Sequence, residues 1–202
     1  MNEWLDRVAQ ALRGGRGAGL TDSRVIDGLP VEVINTRDDI STERVFERAR
    51  AVLERVRIHQ PPRYAHLKRD LRAILVARYA CRAAYFPDTR TCLLELTFMV
   101  NPDFSDSQVA ASLVHEGMHA RLDRLVARFG IRSFAEDPAR HERICRRAEL
   151  NFGYAVPDGG PVVDRALQTL ALADDEVAPA IDWRQAARNI EIADERKRRG
   201  IP

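Results

Sequence analysis

The apolar positions of this chain fall into two periods. Between residues 42 and 58, Val45, Phe46, Ala49, Val52, Leu53 and Val56 recur at three- and four-residue steps, the spacing that lines one face of a helix. Ser41 or Thr42 can cap that helix, and Gln60, Pro61 and Pro62 read as its end. His59 and His66 flank this break as surface or turn residues. Val31 to Ile34 before it reads as a strand. Leu71 to Tyr79 and Thr91 to Val100 read as two further strands, with a turn at Pro87 and Asp88 between them. The longest helical pattern follows, from about Ser105 to Phe129, with Val109, Leu113, Val114, Met118, Leu122, Leu125 and Val126 on its apolar side. Ser105 or Asp106 serves as its N-cap and Gly130 as its stop.

A second amphipathic segment begins almost at once. Asp137 caps it, Pro138 fits its first position, and Ile144, Cys145, Ala148 and Phe152 recur at helical intervals. The run from Pro157 to Pro161 breaks the pattern. A helix from about Val162 to Leu172 comes next, then an interruption at Pro179, then a last helix from Asp182 to the basic end Arg196–Arg199, whose cations suit a helix C-terminus. At the other end, residues 3–13 predict a short helix carrying Trp4, Leu5, Val8 and Leu12, and the Arg/Gly run from Arg13 to Gly19 predicts a connector. The expected division is therefore an N-terminal helix and linker over 1–28, a core over 29–157 and a helical extension over 158–202. The expected fold is α+β: a small mixed or antiparallel sheet covered on one side by the 42–58 helix and the two helices that follow the strands, with C-terminal helices packed around them.

Composition narrows the class. With 202 residues and 45% hydrophobic content, one globular domain is expected. Thirty-two basic against thirty acidic residues leave a net charge of +2, too little to imply nucleic acid. Only Lys68 and Lys197 are lysines, so the cations are nearly all arginine, interspersed with acids as on a solvated helical surface. Three cysteines, Cys81, Cys92 and Cys145, cannot all pair and sit in core-like segments, which implies a reducing compartment. Glu3 and Asp6 stand where a secretory signal would carry basic residues, and no apolar run reaches membrane-spanning length, so a cytoplasmic protein without a membrane partner is expected.

The chemistry is concentrated in His115, Glu116, Gly117, Met118 and His119. Residues four apart on a helix stand one above the other, so both imidazoles can reach one metal ion while Glu116 projects beside it. Because the surrounding helix is apolar, the two histidines point at or near the interior, where a metal ion satisfies both. Gly117 inside this helix costs about 1 kcal/mol relative to alanine, so it marks either a close backbone approach or a tolerated neutral choice. A catalytic zinc site needs a third protein ligand. Glu142, Cys145 and Glu149 share one stripe of the next helix, seven residues being close to two turns, and either glutamate could face the histidines. Cys145 on that stripe reads as a buried structural thiol that could touch the metal shell.

H-E-x-x-H on one helix with a glutamate on the next resembles the gluzincin branch of zinc metallopeptidases. The stretch from Glu142 through Cys145 to Phe152 and Pro157 also resembles the second active-site helix of compact ImmA/IrrE-like bacterial members. The resemblance covers roughly residues 70–157 and implies a zincin-like core with Zn2+ held by His115, His119 and Glu142, Glu149 being the reserve ligand. The thermolysin-like pattern has an acidic residue four positions after the ligand glutamate; here that residue is Arg146, leaving Asp123 or Glu149 to orient a histidine. It also implies that the strand before the first helix either runs beside the cleft and pairs with an extended substrate or is simply interior. The implied chemistry is peptide hydrolysis, with Glu116 as general base for a water activated by zinc, and a peptide or protein as the partner. Tyr154 and His141 lie near the second helix, though neither shares the Glu142 stripe as an oxyanion partner. The alternative is a zinc-binding regulatory or interaction protein on the same scaffold with little or no peptidase activity.

Overall fold

The computed structural model describes residues 21–130, 137–178 and 183–199. The expected helix over 3–13 and the connector Arg13–Gly19 lie outside the described residues.

The chain enters through strands β1 (Thr21–Ile26) and β2 (Leu29–Ile34), an antiparallel hairpin. Asp27 and Gly28 join them with φ of 47° and 81°, the left-handed pair that a two-residue hairpin turn needs. Asp-Gly is the short-range signal for such a turn, so β1 was available to a sequence reading that found only β2. Helix α1 (Thr42–His59) then buries Val45, Phe46, Ala49, Val52, Leu53 and Val56, the stripe expected of it. The prolines do not leave a turn behind it. Pro61 starts a second helix, α2 (Pro61–Asp70), where its missing N–H costs nothing.

Strand β3 (Ala73–Ala77) runs parallel to β2 and is buried throughout, which the α1–α2 crossover permits. Strands β4 (Ala83–Phe86) and β5 (Thr91–Glu95) form an antiparallel pair, with β5 also parallel to β3. The result is a five-stranded mixed sheet in the order β1-β2-β3-β5-β4, and the fold is α+β. The expected strand over 91–100 is thus corrected. It ends at Glu95, whose carboxylate accepts from the Phe98 N–H at 2.7 Å and caps a short helix, α3 (Leu96–Val100). Arg78 pairs with Glu95 in the buried interior, and the Thr97 hydroxyl donates to the same carboxylate at 2.6 Å. An apolar run such as Leu96–Val100 carries no period that separates strand from helix; the buried capping carboxylate decides it. The edge strands of the sheet are β1 and β4, and β5 is interior.

Helix α4 (Asp106–Phe129) starts in a reciprocal capping box between Ser105 and Gln108 and stops at Gly130 in the left-handed conformation, φ 63°. Helix α5 (Pro138–Ala155) is capped by Asp137, which accepts from the Arg140 N–H at 2.9 Å. Helices α6 (Gly160–Leu170), α7 (Asp174–Val177) and α8 (Trp183–Arg198) complete the described chain. The inner face of the sheet and helices α1 to α5 share one core, in which Val31, Val33, Ile74, Val76, Cys92 and Leu94 meet Phe46, Leu53, Leu113 and Phe152. Ile34, Leu75, Ala77 and Leu93 form a separate cluster on the other face of the sheet, with Tyr79 and Phe86 against it.

Two close approaches set where α4 and α5 lie. A Cβ on Gly117 would stand 2.1 Å from Leu67 Cδ2, so α2 crosses α4 at the one residue without a side chain. Gly117 therefore marks a close approach, though by a side chain of the neighbouring α2 and outside the cleft wall. A Cβ on Gly159 would stand 1.8 Å from the Gly153 carbonyl oxygen, which lets α6 fold back hard against α5. Asp158 in the same corner accepts from the buried Ser107 hydroxyl at 2.6 Å, tying it to the first turn of α4. Among the described residues no helix is long and apolar enough to cross a membrane.

Candidate metal centre

Helices α4 and α5 pack side by side and turn their polar residues towards each other. His115, Glu116 and Ser112 come from one, Glu142, His141, Arg146 and Glu149 from the other, and together they line a cleft of about 550 Å³. His115 and Glu116 are 6% and 8% exposed, a degree of burial that obliges them to find partners.

His115 finds its partners in His119 and Glu142. His115 Nε2 and His119 Nε2 are 3.2 Å apart; the two Glu142 carboxylate oxygens lie 3.2 Å from His115 Nε2 and from His119 Nε2 respectively. Two donors about 2.1 Å from a tetrahedral ion stand about 3.4 Å apart, so this spacing is close to that of a shared cation. The geometry also demands a positive charge. Two neutral imidazoles facing each other through Nε2 can share at most one proton, and a carboxylate faces both. Burial acts to lower the pKa of His115, yet Glu142, Glu149 and Glu116 more than reverse it and push it up to about 9. Burial similarly acts to raise Glu142, and the two imidazoles hold it well below the usual carboxylate range instead. The cluster is therefore electrostatically complementary to a positive charge.

Cys145 offers an alternative third donor, its sulfur lying within 4.8 Å of the two imidazoles. Glu142 is the better one. Both of its oxygens lie 3.2 Å from an imidazole Nε2 and it lines the cleft, whereas Cys145 is fully buried and absent from the cleft wall. A ligand sulfur must be a thiolate.

Glu149 stands behind the cluster. One of its oxygens lies 3.5 Å from His115 Nδ1, the nitrogen turned away from the site, while Arg146 donates to the same oxygen. Arg146, four residues after Glu142, is thus itself paired to a carboxylate three residues further along the helix. Burial acts to raise the Glu149 carboxyl, but His115, Arg146 and Arg165 together hold it down and ionised. Asp123, the other candidate for this role, responds to the His119 charge but is pushed up by burial. His141 lines the cleft and packs edge-on against His119, ring centroids 4.8 Å apart. Burial, then the charge of His119, lowers its pKa to about 4, so it is neutral near pH 7. Tyr154, two-thirds exposed, is not part of the cleft wall.

Sequence reasoning missed the rest of the wall: Cys81, Arg82 and Ala83 where β4 begins, Arg165 from α6, and Val177 with Ala178 after α7. The segment after residue 157 therefore contributes to the cleft. The i,i+3 spacing of Arg146 and Glu149 was a readable signal for their pairing; nothing local marks Arg82 or Arg165, which reach the cleft only because a hairpin and a helix corner bring them there. Comparison with family models, with curated proteins and with solved structures found no match.

Proposed function

We propose that this protein is a zinc-dependent metallopeptidase of the gluzincin type, similar in its pair of site helices to compact ImmA/IrrE-like members. The observation that carries the proposal is the convergence of His115 Nε2, His119 Nε2 and the Glu142 carboxylate at 3.2 Å spacings beside the cleft-facing Glu116. Two nitrogens and a carboxylate are a donor set that suits zinc. Held by these three residues, zinc would supply Lewis acidity to a peptide carbonyl and bring the pKa of water to about 7.

The remaining work falls to the protein's side chains. Glu116, one residue after His115 on the cleft wall, accepts the proton of the attacking water and passes it to the leaving amine. Glu149 keeps the His115 ring turned with Nε2 towards the site, and Arg146 keeps Glu149 in place. His141, neutral and facing the cleft, is the donor best situated for the carbonyl oxygen as it gains negative charge. Ala83 brings the edge strand β4 to the same cleft, where its outer backbone groups can pair with an extended chain.

The test is metal content by elemental analysis beside turnover of a peptide library. About one zinc per chain is expected, with the Glu116→Gln variant keeping its zinc and losing on the order of 10²- to 10⁴-fold in turnover. Parental turnover in Glu116→Gln would remove the general base. Absence of zinc after reconstitution would remove the metal, and zinc without hydrolysis of any peptide would favour the regulatory scaffold.

A further inference from the structure

Three arginines, Arg82, Arg146 and Arg165, line the cleft, and they differ in how tightly their charges are paired. Arg146 is paired to Glu149. Arg165 Nη1 stops 3.8 Å from the other Glu149 oxygen, beyond hydrogen-bond reach, and its side chain is 40% exposed. Arg82 is exposed, with its guanidinium carbon 4.7 Å from the Phe104 ring centroid and 5.5 Å from that of Phe98, an arrangement that fixes the cation without neutralising it. Its backbone is fixed as well, the Arg82 carbonyl accepting from the Glu95 N–H at 2.9 Å.

Glu142 faces the two histidines and Glu149 gives one oxygen to Arg146 and His115, while its other oxygen, without a hydrogen bond, stands 3.8 Å from Arg165; Glu116 lies on the same wall. Arg165 has charges of both signs around it. Burial lowers its pKa, Glu149 resists, and the charges of Arg146 and Arg82 lower it further.

We propose that Arg82 and Arg165, facing the cleft from the start of β4 and from α6, form an anion subsite that selects peptides carrying a carboxylate close to the scissile bond. The proposal rests on the peptidase reading of the cleft. A guanidinium presents a planar fork of donors that matches a carboxylate, and two of them at a partly desolvated wall recognise it far better than an amide. That carboxylate has two possible sources, an acidic side chain within the peptide or the free carboxylate at its C-terminus.

The experiment uses the zinc-loaded Glu116→Gln protein and fluorescein-labelled alanine-rich hexapeptides with a central glutamate or glutamine, each with a free or an amidated C-terminus. Binding is read by anisotropy, and kcat/KM for the same peptides is read on the parental enzyme. The expected result is a preference on the order of tenfold or more for one carboxylate, side chain or C-terminal, that collapses in Arg82→Gln and in Arg165→Gln and partly returns in Arg165→Lys. If Arg165 serves only to hold Glu149, its loss lowers metal affinity and turnover on every peptide alike, the ratio stays, and the subsite is refuted. Equal affinity for all four peptides, or no binding to any, also overturns it. Selective binding with no hydrolysis by the parental enzyme would instead sustain the subsite and remove the peptidase reading.

Discussion

At the scale of single residues, the site is a competition for charge. His115 is buried, which by itself would strip its proton, and three carboxylates restore it. A divalent ion placed there must displace that proton, so its affinity falls with acidity. In the proposed site Glu142 and Glu149 would play different parts in holding the ion. Glu142→Ala removes a donor and is expected to abolish stoichiometric metal binding. Glu149→Gln removes the negative charge beside His115 Nδ1 and between Arg146 and Arg165 without touching Nε2, and is expected to weaken affinity by about 10- to 100-fold, measured by competition with a chelator. Equal losses in the two variants would contradict the division of roles. The metal-free protein carries its own pH signature. His115 has a raised pKa, so its contribution to stability is complete below 6.5 and lost as pH rises through about 9. Glu142 has a lowered pKa, so its contribution is complete above 4.5 and lost as pH falls below that. Thermal unfolding followed by circular dichroism is expected to show this cluster's stabilisation greatest between those two limits, 4.5 and 6.5, and declining towards pH 9. Glu142→Gln should flatten the alkaline decline.

At the scale of elements, two glycines decide how the helices meet. Replacing Gly117 by alanine improves helix propensity by about 1 kcal/mol, but the new methyl group would lie 2.1 Å from a Leu67 methyl that is itself 2% exposed. Overpacking of this kind costs about 1–3 kcal/mol, so Gly117→Ala is expected to lose about 1 kcal/mol net in urea denaturation. Set against Leu67→Ala alone, the same substitution should become neutral or stabilising, because the obstructing side chain is gone. A gain in the parental background would mean that α2 can move away. Gly159→Ala meets backbone in place of a side-chain tip, so no rotamer change relieves it, and a loss of more than about 3 kcal/mol is expected. Such a loss would also withdraw Arg165 from the cleft wall. The α2–α4 contact has a second anchor in Asp70. Its buried carboxylate is gripped by Arg69 through two 2.7 Å hydrogen bonds and lies 3.3 Å from Arg124 on α4.

At the scale of the whole molecule, a metal held between α4 and α5 stapled by side chains from both is expected to couple those helices to the rest of the fold. Zinc at a thousandfold excess over its Kd would add about 4 kcal/mol to unfolding, and a chelator would remove it. The melting temperature should therefore rise with zinc in the parental protein and stay put in Glu142→Ala. A similar rise in both would place the ion elsewhere. The cleft lies where these helices, the corner into α6 and the β4 edge of the sheet come together, and that is why its wall draws on segments spread from Cys81 to Ala178.

Much of this was legible along the chain. The apolar stripe of α1, the capping box and glycine stop of α4, the start of α5 at Asp137 and Pro138, and the four-residue spacing of the histidines are local properties, set by helical period and end chemistry. The sequence alone therefore determined the α+β class, the two site helices and the pairing of His115 with His119 on one helix face. Other features required tertiary contacts. Whether Pro61 ends one helix or begins another depends on Tyr64 and Leu67 finding the core, and whether Leu96–Val100 is strand or helix depends on a carboxylate buried beneath it. The ranking of Glu142 before Cys145 and Glu149 depends on how α5 is rotated, because all three share a stripe. Arg82 and Arg165 carry no local signal at all. Their place was decided by packing, since side chains distant along the chain meet only after the core has fixed the elements that carry them.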